Sequence, residues 1–219
     1  VTKFVLQLAP LGIWGIFVKL IATTGFSVFI PLSKYCLCVV LGLAIHSMLT
    51  LPLFVYFVGK YNPILFFTQM KYALMTAFAT SSSSATLPIT IDSIETKAKV
   101  PHKVSSFVLP LGATVNMDGT ALYECIAVIF IAQAYGIDLT VSQQIIIMIT
   151  ALFASIGAAG IPMAGLVMMS VVLTAVGLPL EGVGLILAVD RILDMFRTTV
   201  NVWSDSCGTL VISRLEKNS

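Results

Sequence analysis

A run of apolar residues near the end of the chain carries a polar string, "DMFRTTVNVWSD", from Asp194 to Asp205. On a helix turning about 100° per residue, Asp190, Asp194, Arg197, Asn201 and Asp205 fall within an arc of roughly 80° and form one stripe. A charge in the middle of a membrane helix costs about 2.5 kcal/mol or more, so such a stripe faces protein or water and is a candidate functional site. Arg197 offers a planar fork that can take a carboxylate with two hydrogen bonds, which a Lys could not. Asp194, one turn earlier, can accept from an ammonium. Together they fit the two ends of an acidic amino acid; the structural alternative is a buried Asp194–Arg197 ion pair that fixes helix packing and leaves Asn201 and Asp205 unexplained.

A second polar interruption, "NMDGT" from Asn116 to Thr120, supplies Asn116 and Asp118. With Asn201 and Asp205 these are oxygen donors at two expected helix breaks, where unwound backbone frees carbonyls. Hard cations such as Na⁺ take oxygen ligands, whereas Zn²⁺ or iron would call for His or Cys. Taken alone, "NMDGT" also reads as a kink with a satisfied Asp. The string "TSSSSATLP", Thr80 to Pro88, is either a polar turn or a way of presenting backbone N–H groups to a carboxylate at the start of a half-helix. Glu124 sits four residues past Thr120 on an apolar helix and is either a proton carrier or a neutral Glu hydrogen-bonded across helices. His46 and His102 read as structural. Cys36, Cys38, Cys125 and Cys207 lie in apolar segments without CxxC spacing and read as packing residues.

The elements that must position these groups follow from composition. The chain has 219 residues, 58% hydrophobic and 10% charged, against about 25% charged in ordinary soluble domains. It reads as an all-α polytopic membrane protein with four spans and two shorter helical pairs. The net charge of +2 is small and scattered, which excludes nucleic acid as a partner. No initiator Met or signal peptide is present, so the stretch is expected to be the C-terminal part of a longer protein.

Spans are expected at Phe4–Ala22 and Leu32–Val58, the second closed by "GKYNP". From Ile64 to Lys99 two half-length helices flank the serine string. A second pair is split by "GAAGIPMAG", Gly157 to Gly165, inside a stretch without charge between Asp138 and Glu181. Non-helical backbone is tolerated at membrane depth only when packed in protein or lining a wet cavity, so both pairs read as re-entrant hairpins. Each is followed by a helix expected to be broken by its polar string. This twofold plan points to an inverted-repeat secondary transporter with a midplane site. Lys60, Lys97, Lys99, Lys103, Arg214 and Lys217 put the first hairpin's base and the chain's end in the cytoplasm, with Asp138 and Glu181 outside. An ion channel is the remote alternative. Enzymes fit poorly: no Ser–His arrangement is in view, and "NMDG" is not the GxGD of intramembrane aspartyl proteases.

The motifs "SSSSATLP", "LPLGATVNMDGTALYE", "ASIGAAGIPMAG" and "DMFRTTVNV" occur in the order found in the dicarboxylate/amino acid:cation symporters, and the sequence resembles the C-terminal half of that family, from its fifth span onward. The resemblance implies an elevator mechanism in a homotrimer in the plasma or inner membrane. Residues 1–60 would hold two membrane helices, the first scaffold-like, and 61–219 the transport domain: hairpin one at about 64–99, a broken helix at 103–136, hairpin two at 140–177 and the last helix at 182–215. It places substrate contacts on Ser83, Thr120, Ile161, Gly165, Asp194, Arg197, Thr198 and Asn201, with Arg197 marking acidic substrates such as L-glutamate or L-aspartate. Sodium ligands map onto Gly112, Asn116, Asn201 and Asp205, onto Asn116 with Asp118, and onto Thr114, Met117, Ser155, Ile156 and Ala158. Glu124 matches the proton carrier of the vertebrate branch. No cofactor is implied beyond Na⁺ and, with Glu124, H⁺; a C4-dicarboxylate is the alternative cargo. Ser81 and Met195 stand where other members carry Arg, so potassium counter-transport does not follow. The family's third span is absent from these residues, so the chain is not expected to transport alone.

Overall fold

The computed structural model describes residues 29–218, apart from Ala159, Ile161 and Met163, and a few isolated positions before residue 29. The expected span at Phe4–Ala22 thus lies largely outside the described residues. All regular structure among them is helical: α1 (Phe29–Ile45), α2 (Leu51–Phe57), α3 (Pro63–Thr80), α4 (Ser83–Thr96), α5 (His102–Val115), α6 (Asp118–Ala134), α7 (Val141–Ile156), α8 (Ala164–Ala175) and α9 (Val183–Asn218).

Helix α1 continues into α2 through a π-turn, His46–Thr50, making a 29-residue rod long enough to cross a bilayer. Such turns widen one winding and re-aim the side chains on it. The first hairpin, α3–α4, is set by local chemistry. Asn62 Oδ1 accepts from the amides of Ile64 and Leu65 at 2.9 and 3.2 Å, with Pro63 opening the helix. Ser81, at φ 50°, takes the left-handed conformation that ends α3, and Ser82 caps α4 through the Ala85 amide. Only two residues separate the helices. The second hairpin, α7–α8, begins with a reciprocal capping box between Thr140 and Gln143.

The polar break after α5 is real: Asn116 and Met117 leave helical geometry, at ψ 87° and 56°. The second expected break is not. α9 runs unbroken for 36 residues through "DMFRTTVNVWSD". The string is polar but contains no Gly or Pro, and polarity alone does not interrupt backbone hydrogen bonding. Asn201 and Asp205 therefore offer side chains from a continuous helix, and their stretch frees no carbonyls.

Helix α9 packs against α1 to α6 and α8. Its first half enters a core with Tyr35 and Val39 of α1, Tyr123 and Ile131 of α6, and Leu173 of α8. Its second half enters another with Val55, Phe66, Met70, Ile94 and Leu109, centred on Trp203. The molecule is polar inside and apolar outside: Asp190, Asp194 and Arg197 are at most 2% exposed, while Met48, Ile64 and Val141 are exposed by 79%, 78% and 72%. In water that arrangement would be unfavourable on both counts; in hydrocarbon it is required.

Candidate functional site

The two hairpin tips meet. Ser82 donates its hydroxyl to the Gly160 carbonyl at 2.7 Å, and the Ser84 amide approaches the same oxygen at 3.3 Å. Beneath the contact lies a cleft of about 10 Å³, room for roughly one water. Its walls bring together Ser83 from α4, Thr120 from α6, Gly165 from α8, and Asp194, Arg197, Thr198 and Asn201 from α9, with Met117 at the helix break. Ile161 lies outside the described residues.

Arg197 is 2% exposed. Its Nη2 meets Asp194 Oδ1 at 2.5 Å, its Nη1 lies 3.9 Å from Asp190 Oδ1, and its guanidinium carbon sits 4.4 Å over the Tyr123 ring. The ion pair foreseen as the structural alternative is formed. It does not satisfy the whole group: Nη1 has no hydrogen-bond partner among the described residues. Gly165 lies so close that a Cβ there would press into the guanidinium.

Asn201 ties α9 to the start of α6, donating to Thr120 Oγ1 at 3.0 Å and accepting from the Gly119 amide at 2.9 Å. One turn on, Asp205 Oδ1 accepts from Asn116 Nδ2 at 3.0 Å, and the same nitrogen donates to Ser204. A Cβ on Gly112 would fall 2.6 Å from Asp205 Oδ1. Gly112, Asn116 and Asp205 thus meet one turn along α9 from Asn201, with Asn116 turning its amide nitrogen to Asp205. Asp118 turns one oxygen to its own Gly119 amide and the other to His46 Nε2, at 2.8 and 2.6 Å. The third expected set is looser. Thr114 is exposed and donates to the Leu111 carbonyl, Ser155 is buried and donates to the Leu152 carbonyl, Ile156 is 42% exposed and Ala158 is buried. At the tip, Gly160 packs against the Ala113 carbonyl of α5. Glu124 is wholly buried, and neither carboxyl oxygen has a hydrogen-bond partner among the described residues.

The profile of the sodium:dicarboxylate symporter family matches residues 1–215. The chain belongs to this family. It is 50% identical over 218 residues to excitatory amino acid transporter 3 of Mus musculus, an alignment covering 99% of this chain and 42% of that protein. It is 53% identical over 187 residues to excitatory amino acid transporter 1 of Ambystoma tigrinum, covering 85% of this chain and 34% of that one. This sodium:dicarboxylate symporter chain therefore spans about two fifths of the length of such relatives. The family is one of membrane transporters rather than of enzymes, and its name gives sodium as the coupling ion.

Three residues of this symporter chain at the site had no role in the sequence reading. Asp190 stood on the polar stripe without a task. Tyr123 donates its hydroxyl to Asp190 Oδ1 at 2.6 Å; the only signal for it was its place beside Glu124. His46, read as structural, reaches Asp118 across 72 positions because the π-turn carries it.

Proposed function

We propose that the full-length protein carries an acidic amino acid, L-glutamate or L-aspartate, across the cell membrane by sodium-coupled symport, with Glu124 carrying a proton. The observation that bears the reading is the Asp194–Arg197 pair at the floor of a cleft sealed by both hairpin tips. Each charge of the pair neutralises the other. A zwitterion with an extra carboxylate can enter that pair by exchange, its ammonium taking Asp194 and its side-chain carboxylate taking Arg197. A C4-dicarboxylate would displace Asp194 from Arg197 without bringing an ammonium in exchange, which is costly in a buried site.

Cation coupling has its own support. Asp190 and Asp194 lie against one buried guanidinium, and Asp118, Glu124 and Asp205 add further carboxyls on α6 and α9, so an anionic substrate enters a domain already rich in carboxylates. Sodium at the Gly112–Asn116–Asn201–Asp205 nest, at Asn116 with Asp118, and at Thr114, Met117, Ser155, Ile156 and Ala158 would offset that charge. In this reading Ser83, Thr120, Ile161, Gly165, Thr198 and Asn201 complete the substrate shell. The two hairpins are re-entrant, and with α5, α6 and α9 they move as the transport domain of a homotrimeric elevator. The contacts of α9 with both hairpins support their moving as one body.

The test is uptake of labelled L-aspartate, L-glutamate and succinate by the full-length protein in liposomes, under sodium and proton gradients applied separately. Sodium-dependent amino-acid uptake, stimulated by inward protons, is expected. Asp194→Asn should cut amino-acid uptake far more than any dicarboxylate binding. No acidic amino-acid uptake under either gradient would remove the role given to Arg197.

A further inference from the structure

Asp190 is fully buried, two turns before Arg197 on the same face of α9. Its Oδ1 takes the Tyr123 hydroxyl at 2.6 Å and faces Arg197 Nη1 at 3.9 Å, ion-pair range but beyond a hydrogen bond. Its Oδ2 and that same Nη1 both lack hydrogen-bond partners among the described residues. Two buried groups of opposite charge thus stand about 1 Å short of bonding. The Tyr123 ring, 4.4 Å from the guanidinium carbon, provides a face along which the group can shift.

We infer that Asp190, held by Tyr123, is a positioning residue that forms a second seat for the Arg197 guanidinium, taken up when Asp194 leaves it for the substrate's ammonium. Buried guanidinium groups need a compensating carboxylate throughout. Asp194 supplies it here. Once Asp194 turns to the substrate, Nη1 closes onto Asp190 from behind, the outer edge of the fork stays aimed into the cleft, and the substrate carboxylate docks there. Tyr123 fixes the Asp190 rotamer by its hydroxyl and the guanidinium plane by its ring. The seat rests on the reading of Arg197 as the partner of the side-chain carboxylate.

Two variants separate charge from shape. Asp190→Asn keeps an acceptor for Tyr123 but removes the charge; Tyr123→Phe keeps the ring but frees Asp190. In full-length protein in liposomes, Asp190→Asn should raise KM for L-aspartate about tenfold, with maximal rate and sodium activation within about twofold of the parent. Tyr123→Phe should raise KM about threefold, and the double variant should be no worse than Asp190→Asn, because both act through one guanidinium. An unchanged KM in both variants, a parallel loss of sodium affinity, or fully additive effects would overturn the assignment. If Asp190→Asn does not reach the membrane, Tyr123→Phe, which removes a single oxygen, carries the test by the same KM readout. Absence of acidic amino-acid uptake by the unmutated protein would instead strike the function proposed above, so the two failures are distinct.

Discussion

Gly165 is glycine for space: no left-handed backbone is involved, but the nearest Arg197 atoms stand where its Cβ would be, with the guanidinium carbon 2.9 Å away. Gly165→Ala must push the guanidinium off its pairing with Asp194 or lift the second tip. Overpacking of this kind costs about 1–3 kcal/mol, so KM for an acidic amino acid should rise roughly tenfold or more while expression holds. An unchanged KM in uptake assays would mean that the guanidinium relaxes without consequence for binding. At this scale residue types were legible from sequence, because a guanidinium and carboxylates in an apolar run have few bland explanations. Their partners were not. The contacts of His46 with Asp118, Tyr123 with Asp190 and Asn116 with Ser204 span 72, 67 and 88 positions, distances over which spacing says nothing of approach. The Asp194–Arg197 pair, three residues apart on one helix, lies within reach of spacing and was foreseen as the structural alternative.

Helices and hairpins were read closely where local chemistry decides them. The serine tip, the Asn62 cap and the Thr140 capping box are signals a few residues long, and the hairpins fall at 63–96 and 141–175 against expectations of 64–99 and 140–177. The error at α9 came from equating polarity with interruption. At Asn116 the chain does unwind, and there the Asn side chain bonds across to α9 and Asp118 bonds the following amide. In α9 the hydroxyls of Thr199, Ser206 and Thr209 instead bond carbonyls one turn back, so polar side chains ride on intact helix. The base of the first hairpin carries a pH-dependent prediction. Glu95, outside the membrane, accepts from the Ser105 hydroxyl at 2.5 Å and pairs with His102 Nδ1 at 2.8 Å. These contacts, Ser105 first, hold its carboxyl below the usual range near 4.5. A depressed folded-state pKa stabilises above the ordinary value and is lost as pH falls through the lowered one. Thermal stability of the parent should therefore fall relative to Glu95→Gln on acidification below about pH 4.5, by about 0.5 kcal/mol, as befits a surface cluster. Parallel melting profiles for the two proteins across that range would show that the cluster contributes nothing.

The whole molecule joins two similar hairpins through one mast, with the polar groups of both halves converging where their tips meet. That plan was legible in the order of interruptions along the chain, since two helical pairs, each split by a short serine- or glycine-rich string, each precede a polar string. What sequence could not supply was closure. The seal between the tips is narrow: Gly160 offers one carbonyl, which takes the Ser82 hydroxyl, and its own hydrogen leaves no room for a side chain against the Ala113 carbonyl. Ser82 also caps α4 through the Ala85 amide at 3.2 Å, so one hydroxyl holds both the tip contact and the helix start. Loss of a buried hydrogen bond costs about 1 kcal/mol, which in an open–closed equilibrium shifts the ratio about fivefold. Ser82→Ala should accordingly lower apparent substrate affinity about fivefold. It should also speed the reaction of a hydrophilic thiol reagent with a cysteine placed at Ala164 on the cleft wall, in a background with the protein's cysteines replaced, Cys36, Cys38, Cys125 and Cys207 among them. Faster labelling with weaker binding would identify the tip contact as the gate. Weaker binding with unchanged labelling would locate the loss in the α4 cap, and the gate would then rest on packing around Gly160.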